Sequence, residues 1–440
     1  MSDAPPESAA VVARGNDADP ARLALLLSLG AAISLGITRF AYGLLLPPMR
    51  EDLGWSYALA GAMNTSNAAG YLLGALLTPW LLRRMRAGAL MLGAAFAASA
   101  LMLLCGVLMG NTAWLAQRLA AGVASAFVFI SGGLLAARLG AAQPLRAGWL
   151  IGLYYGGTGL GIVVSALAVP VAIAAAAGRA HAWSAAWVVL GLACLAASAG
   201  LRRAVVQLDG VPSSPPALQA AATSATPPMR GAAAHATVPA YATASVRRER
   251  LPWRRFAFGL AGYGMFGVGY IGYMTFIVAL LREQGVPTWA ITGFYAALGL
   301  AVLASPRLWA GLLDRYPDGR PMALLNALLG AATLAPALSQ AWPLVLGSVL
   351  LFGAVFLSVV ASTTAWVRHN LPPVHWAAGI GAFTIVFAAG QIVGPTVVGW
   401  IADGPGGLAR GFIVSALALW CGAALALRQP AHIFTGAERG

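Results

Sequence analysis

The chain contains no lysine, and only 9% of its 440 residues are charged. That is well under half the charge of an ordinary soluble domain, so a water-covered globular fold is excluded. Acids are scarcer than bases, 13 against 27, and every base in that count is arginine. Cysteine is rare: Cys105, Cys194 and Cys421 all fall inside apolar blocks, with no CxxC spacing and no histidine close by. Neither a disulfide framework nor a metal site is indicated. The five histidines, His181, His235, His369, His375 and His432, lie in loops, termini or span ends, without HExxH, an acid pair or a Ser-His arrangement. No reaction centre is visible and no cofactor is expected, which argues against an enzyme.

What the chain has in excess is apolar surface. Hydrophobic residues make up 60% of it, enough for about a dozen bilayer spans of about 20 residues each. They come in unbroken blocks between short charged loops, whereas an outer-membrane barrel needs apolar and polar residues in alternation. Twelve helices are predicted, over 23–47, 58–82, 87–110, 112–139, 147–176, 182–201, 256–281, 289–313, 322–337, 342–367, 375–401 and 409–427. The polar, acid-containing residues 1–20 lack the basic start of a cleavable signal, so span 1 is expected to remain as an anchor.

The arginines sit in short loops, the distribution that orients a membrane protein rather than one that follows a phosphate backbone, and no nucleic-acid partner is expected. With the N-terminus inside, the inner loops hold Arg83, Arg84, Arg86, Arg138, Arg146, Arg315, Arg320 and Arg368, and the outer loops Arg50, Arg179, Arg282 and Arg410. This bias places both termini in the cytoplasm of a bacterial-type inner membrane. The predicted organisation is a tail over 1–22, a six-helix bundle over 23–201, a linker over 202–255, a second bundle over 256–428 and a tail over 429–440. The linker is rich in Ala, Pro and Ser and ends in Arg247, Arg248, Arg250, Arg254 and Arg255, as a flexible cytoplasmic segment would.

The two halves share a pattern. Gly36, Arg39 and Tyr42 in span 1 have the spacing of Gly267, Tyr270 and Tyr273 in span 7. Spans 3, 6, 9 and 12 carry few polar side chains, while the others carry Arg, Asn, Tyr, Thr or Gln within their apolar runs. Apolar helices face lipid, and polar ones face protein or a water-filled cavity. The expected fold is an all-α polytopic membrane protein of twelve transmembrane helices in two six-helix bundles around a central cavity.

Several motifs resemble those of the major facilitator superfamily. The loop after span 8 reads Gly311, Asp314, Arg315, Gly319, Arg320, similar to the superfamily's cytoplasmic motif. Its first-half copy is degraded, with Gly74 followed by Thr78 at the acid position, then Arg83 and Arg84. Arg118 and Gly122 match the Arg-x-x-x-Gly motif of span 4. The runs 39–47, 70–74, 267–276 and 390–395 resemble the YbfB/YjiJ-type branch more narrowly. The resemblance implies alternating access, a coupling role for Arg118 and a cytoplasmic gate at Asp314 and Arg315; a packing anchor and an ordinary loop turn are the structural alternatives. The Gly-Pro bend of the superfamily's antiporters is missing from span 5, and Gly394-Pro395 lies on span 11 instead.

Arg39 is the most informative residue. Counted at about 1.5 Å per residue, it lies well inside the bilayer, where a charge costs on the order of 3 kcal/mol or more. No Asp or Glu occupies the core of any predicted span, so its partner is a carbonyl, a hydroxyl, an amide or an anionic substrate; substrate contact and helix pinning both stay open. Asn64, Asn67 and Tyr71 share one face of span 2, as Thr384 and Gln391 do on span 11. With Tyr42, Tyr154, Tyr263, Tyr270 and Tyr273 they are the expected cavity lining, against packing as the alternative for any single tyrosine.

The expected function is secondary transport of a small organic solute, anionic or carboxylate-bearing, by a monomer in the lipid bilayer, coupled to a proton or a counter-anion. Efflux of lipophilic compounds by the same fold is the nearest alternative. A membrane-embedded enzyme or a receptor would need features the sequence does not show.

Overall fold

The computed structural model describes residues 19–143, 146–209, 253–371 and 375–431. Most of the predicted linker and of both tails therefore lies outside the described residues.

Twelve long helices cross the molecule: α1 (Pro20–Leu53), α2 (Tyr57–Leu81), α3 (Ala87–Leu104), α4 (Asn111–Ala141), α5 (Ala147–Ala175), α6 (Trp183–Asp209), α7 (Trp253–Glu283), α8 (Thr288–Arg315), α9 (Arg320–Leu338), α10 (Trp342–Asn370), α11 (Trp376–Ala402) and α12 (Gly407–Leu427). Among the described residues, eleven of these helices are long and apolar enough to cross a membrane. The exception, α2, spans 25 residues but carries Asn64, Thr65, Ser66 and Asn67 in sequence, a composition tolerable only where the helix faces protein or water.

The helices match the predicted spans in number and order, with shifted ends. α1 continues through Pro47 and Pro48 and stops at Gly54, whose φ of 64° is the left-handed cap that ends a helix. α3 ends early, at Leu104. α6 runs on to Asp209 and α7 begins at Trp253, so both ends of the predicted linker are helical.

Twelve crossings return the chain to the face it started from, here termed the termini face. The other is the distal face. α1–α6 and α7–α12 form two bundles that meet along three seams, α2 on α11, α5 on α8 and α1 on α7. α3, α6, α9 and α12 pack within their own bundles, away from the seams, which is the every-third-helix pattern of the sequence.

The α2–α11 seam depends on glycine. A Cβ on Gly61 would fall 2.2 Å from the Pro395 carbonyl oxygen, and one on Gly399 would fall 2.2 Å from that of Tyr57. Only residues without a side chain let the two backbones touch. Both positions lie on the distal half.

Local backbone irregularity positions the centre. Residues Ala32–Ile37 of α1 form a π-helical turn, with Thr38 N–H reaching Ile33 O and Phe40 N–H reaching Leu35 O, each at 3.0 Å. Such bulges loosen the regular ladder and leave carbonyls for other donors. Arg118 Nη1 on α4 donates to Thr38 O at 3.0 Å, and the Tyr295 hydroxyl on α8 donates to Phe40 O at 2.6 Å. The loosened stretch is thus held from both bundles, and Arg39 stands between its two held carbonyls.

Candidate substrate site and gates

Arg39 is buried at the boundary between the bundles, with 3% of its surface exposed. Its Nη2 donates to Gln391 Oε1 on α11, and Gln391 Nε2 donates to the Tyr270 hydroxyl on α7 at 2.8 Å. The guanidinium also lies over the Tyr71 ring, 5.7 Å from its centre. Its Nε has no hydrogen-bond partner. Arg39 and Tyr270, which occupy matching positions in the repeat, therefore meet through one amide.

Arg118 is a second buried guanidinium, within electrostatic reach of Arg39. Nη1 is held by Thr38 O, the group lies over the Tyr42 ring at 5.0 Å, and Nε and Nη2 have no partner. Among the described residues Arg320 pairs with Asp318 and His181 hydrogen-bonds Asp52, and neither contact involves Arg39 or Arg118. Two cations thus stand in the membrane-spanning region with neutral groups as their bonded partners, a costly arrangement unless water or an anion reaches one of them.

The other predicted lining residues divide into four groups. Asn64 Nδ2 crosses the boundary to Thr275 Oγ1 at 2.6 Å, and Asn67 Nδ2 stays within its bundle on Arg118 O at 3.1 Å; both amide oxygens are buried without a partner. Tyr42, Tyr154 and Tyr273 are fully buried in their own bundles, their hydroxyls on Ala60 O (2.8 Å), Phe129 O (2.7 Å) and Ser348 Oγ (3.1 Å). Tyr263 and Tyr270 are buried in an aromatic stack with Phe266 and Phe387. Tyr71 and Thr384 are half-buried.

Surface remains at the centre on both sides of the boundary. Tyr155 keeps 36% of its surface accessible, and Tyr71, within electrostatic reach of Tyr155 and Tyr270, is likewise partly accessible. Phe129 on α4 and Phe387 on α11 are half-buried beside them.

The distal face is shut by contacts the sequence reading did not single out. The Asp403 carboxylate, just past α11, accepts the N–H groups of Tyr57 and Ala58 at 2.7 and 2.8 Å, capping the N-terminus of α2 from the other bundle. The Tyr57 hydroxyl donates to Glu283 Oε1 at the end of α7, and Arg50 lies over the Tyr57 ring at 3.8 Å. Deeper in the seam, Thr65 Oγ1 donates to Ile392 O at 2.6 Å.

On the termini face the motif residues make no such closure. Asp314 and Arg315 are exposed, and Arg315 lies over the Tyr316 ring at 5.6 Å within its own loop. The loop is fastened inside the second bundle: Asp318 meets Arg320 Nε at 3.2 Å, Gly319 N–H donates to Gln429 O at 3.1 Å, and Asn370 Nδ2 donates to Pro317 O at 2.6 Å. Arg83 and Arg84 are exposed, with Arg84 over Trp80 at 4.1 Å, and Thr78 bonds back to Gly74 O at 2.8 Å. Gly122 lets α4 cross α2 closely, since its Cβ would lie 2.1 Å from Asn67 O. The cross-bundle hydrogen bonds described here lie at the centre or distally.

The family model described as "Uncharacterised MFS-type transporter YbfB" matches residues 31–427. The chain belongs to that family. It is a multi-pass membrane protein of the MFS transporter type, and fold and family point to transport rather than to enzymatic chemistry. Among solved structures, a bacterial homolog of the human lysosomal transporter Spinster, inward-facing and unoccupied, is similar with a TM-score of 0.64 and 15% identity, covering 93% of this chain and 97% of that one. The nucleoside transporter NupG is similar with a TM-score of 0.62 and 14% identity, covering 92% and 98%. At these identities the likeness carries the fold. No curated protein matches the sequence.

Proposed function

We propose that the chain moves a small organic anion bearing a carboxylate across the cytoplasmic membrane by alternating access, with Arg39 as the anion's seat. One observation carries the reading: Arg39 is buried where the bundles meet, and its bonded partner is the neutral amide of Gln391. A carboxylate makes shorter and stronger bonds to a guanidinium than an amide oxygen does. Arg118, tied to Thr38 and enclosed, is the fixed counterpart that holds α4 on the loosened turn of α1. The arginine bias puts both termini in the cytoplasm, which makes the present arrangement, shut distally, the inward-open state.

The opposite state requires the seam at Tyr57, Thr65 and Asp403 to part and the termini face to close. Asp314 and Arg315 stand free for that closure and form the cytoplasmic gate. Uptake of labelled carboxylates into proteoliposomes, beside Arg39→Gln, tests the proposal. Carboxylate-selective uptake that the variant loses is the expected result; uptake of carboxylates equal in the two proteins would refute it.

A further inference from the structure

This inference rests on the anion reading above and narrows the solute. Phe387 stands on the α11 face that carries Thr384 and Gln391, opposite the exposed Ile385 and Val393. Its ring is stacked 5.0 Å from Tyr263 at 23°, 5.3 Å from Phe266 at 10° and 5.6 Å from Tyr270 at 18°. Three near-parallel rings from one face of α7 fix its plane, while Phe387 itself is only half-buried. In the first bundle, Tyr155 pairs with Phe129 at 5.4 Å and keeps its accessible surface. The Arg39 guanidinium, with an unused Nε, thus stands beside aromatic faces held in position by other rings: it lies over Tyr71 at 5.7 Å and is joined through Gln391 to Tyr270, which stacks on Phe387.

We infer that the solute is a planar aromatic monocarboxylate, whose carboxylate replaces the Gln391 amide on Arg39 while its ring lies against Phe387. A single negative charge fits Arg39, which is the guanidinium at the boundary between the bundles, whereas Arg118 is fully buried inside the first bundle with Nη1 on Thr38 O. An uncharged aromatic compound would leave Arg39 with its neutral partner. A saturated acid would satisfy Arg39 but lose the stacking. Displacing Gln391 also cuts a bond between α1 and α11, so occupancy of the site loosens the contact that holds the bundles together at the centre.

Equilibrium dialysis of radiolabelled benzoate and indole-3-acetate against the purified full-length chain tests this, with cyclohexanecarboxylate, benzamide and uridine as competitors. At least one aromatic acid is expected to bind, with the saturated acid weaker by about tenfold, as one aromatic pair contributes. Benzamide and uridine are expected not to compete. Phe387→Leu should erase the preference for the aromatic acid, and Gln391→Glu, which keeps Arg39 but supplies a resident carboxylate, should abolish binding of either acid. If the saturated acid competes as well as the aromatic one, the aromatic assignment fails and the anion reading stands. Displacement by benzamide or uridine would refute both, and absence of binding by either aromatic acid would refute the assigned seat.

Discussion

The side chains of Arg39 and Gln391, 352 positions apart in sequence, meet across the boundary between the two bundles, and Gln391 passes the contact on to Tyr270. A neutral amide thereby occupies the place on a buried guanidinium where a carboxylate would bind more strongly, and the bond it makes spans the two bodies that must move apart.

Replacing Gln391 with Glu should convert that bond into a permanent ion pair. A guanidinium bonds a carboxylate more tightly than it bonds a neutral amide oxygen. Thermal unfolding should shift upward while counterflow of carboxylates in proteoliposomes falls to background. An active Gln391→Glu variant would mean that the bond is incidental to transport.

Much of this was legible beforehand. Arg39 stood out because a charge in an apolar run demands an account, and Asn64, Asn67, Thr384 and Gln391 stood out by helical spacing. Spacing gives a face but neither its depth nor what it meets. Tyr42, Tyr154 and Tyr273 lie on polar faces yet turn their hydroxyls into their own bundles, and the pairing of Arg39 with Gln391 is a property of how two bundles dock. Glu283 and Asp403 are not legible in the sequence, because acids at helix ends look like ordinary surface charge. A carboxylate beyond one helix and the first N–H groups of a helix elsewhere are separate facts until the fold joins them. The motif at Asp314 was readable as a turn, and its contacts in this state lie within one bundle.

The distal closure should weaken when Asp403 is made Asn. Losing a charged cap of this kind costs about 0.5–2 kcal/mol. Spin labels on Glu51→Cys and Gly404→Cys, which sit on distal ends of different bundles, should report a severalfold larger population of the longer distance by pulsed electron resonance. An unchanged distance distribution would remove Asp403 from the gate.

Gly61→Val should block the distal closure outright, because even a Cβ there would fall 2.2 Å from the Pro395 carbonyl. The protein should still fold, since each bundle keeps its own packing, but transport should be lost with the distal side held open. The same pair of labels reads the outcome: a normal closed-state distance in a transport-dead Val variant would show that the seam is not what the substitution disturbs.

The account depends most on a central space lined by Tyr71 and Tyr155 that opens to one face at a time. The direct measurement is labelling of Tyr71→Cys and Tyr155→Cys, in a background lacking Cys105, Cys194 and Cys421, with a membrane-impermeant maleimide applied to right-side-out and inside-out vesicles. The account predicts rapid labelling from the termini face in the ligand-free protein, and labelling from the distal face once Asp403→Asn or Gly61→Val opens the seam. Protection of both positions from both faces in all three proteins would contradict it.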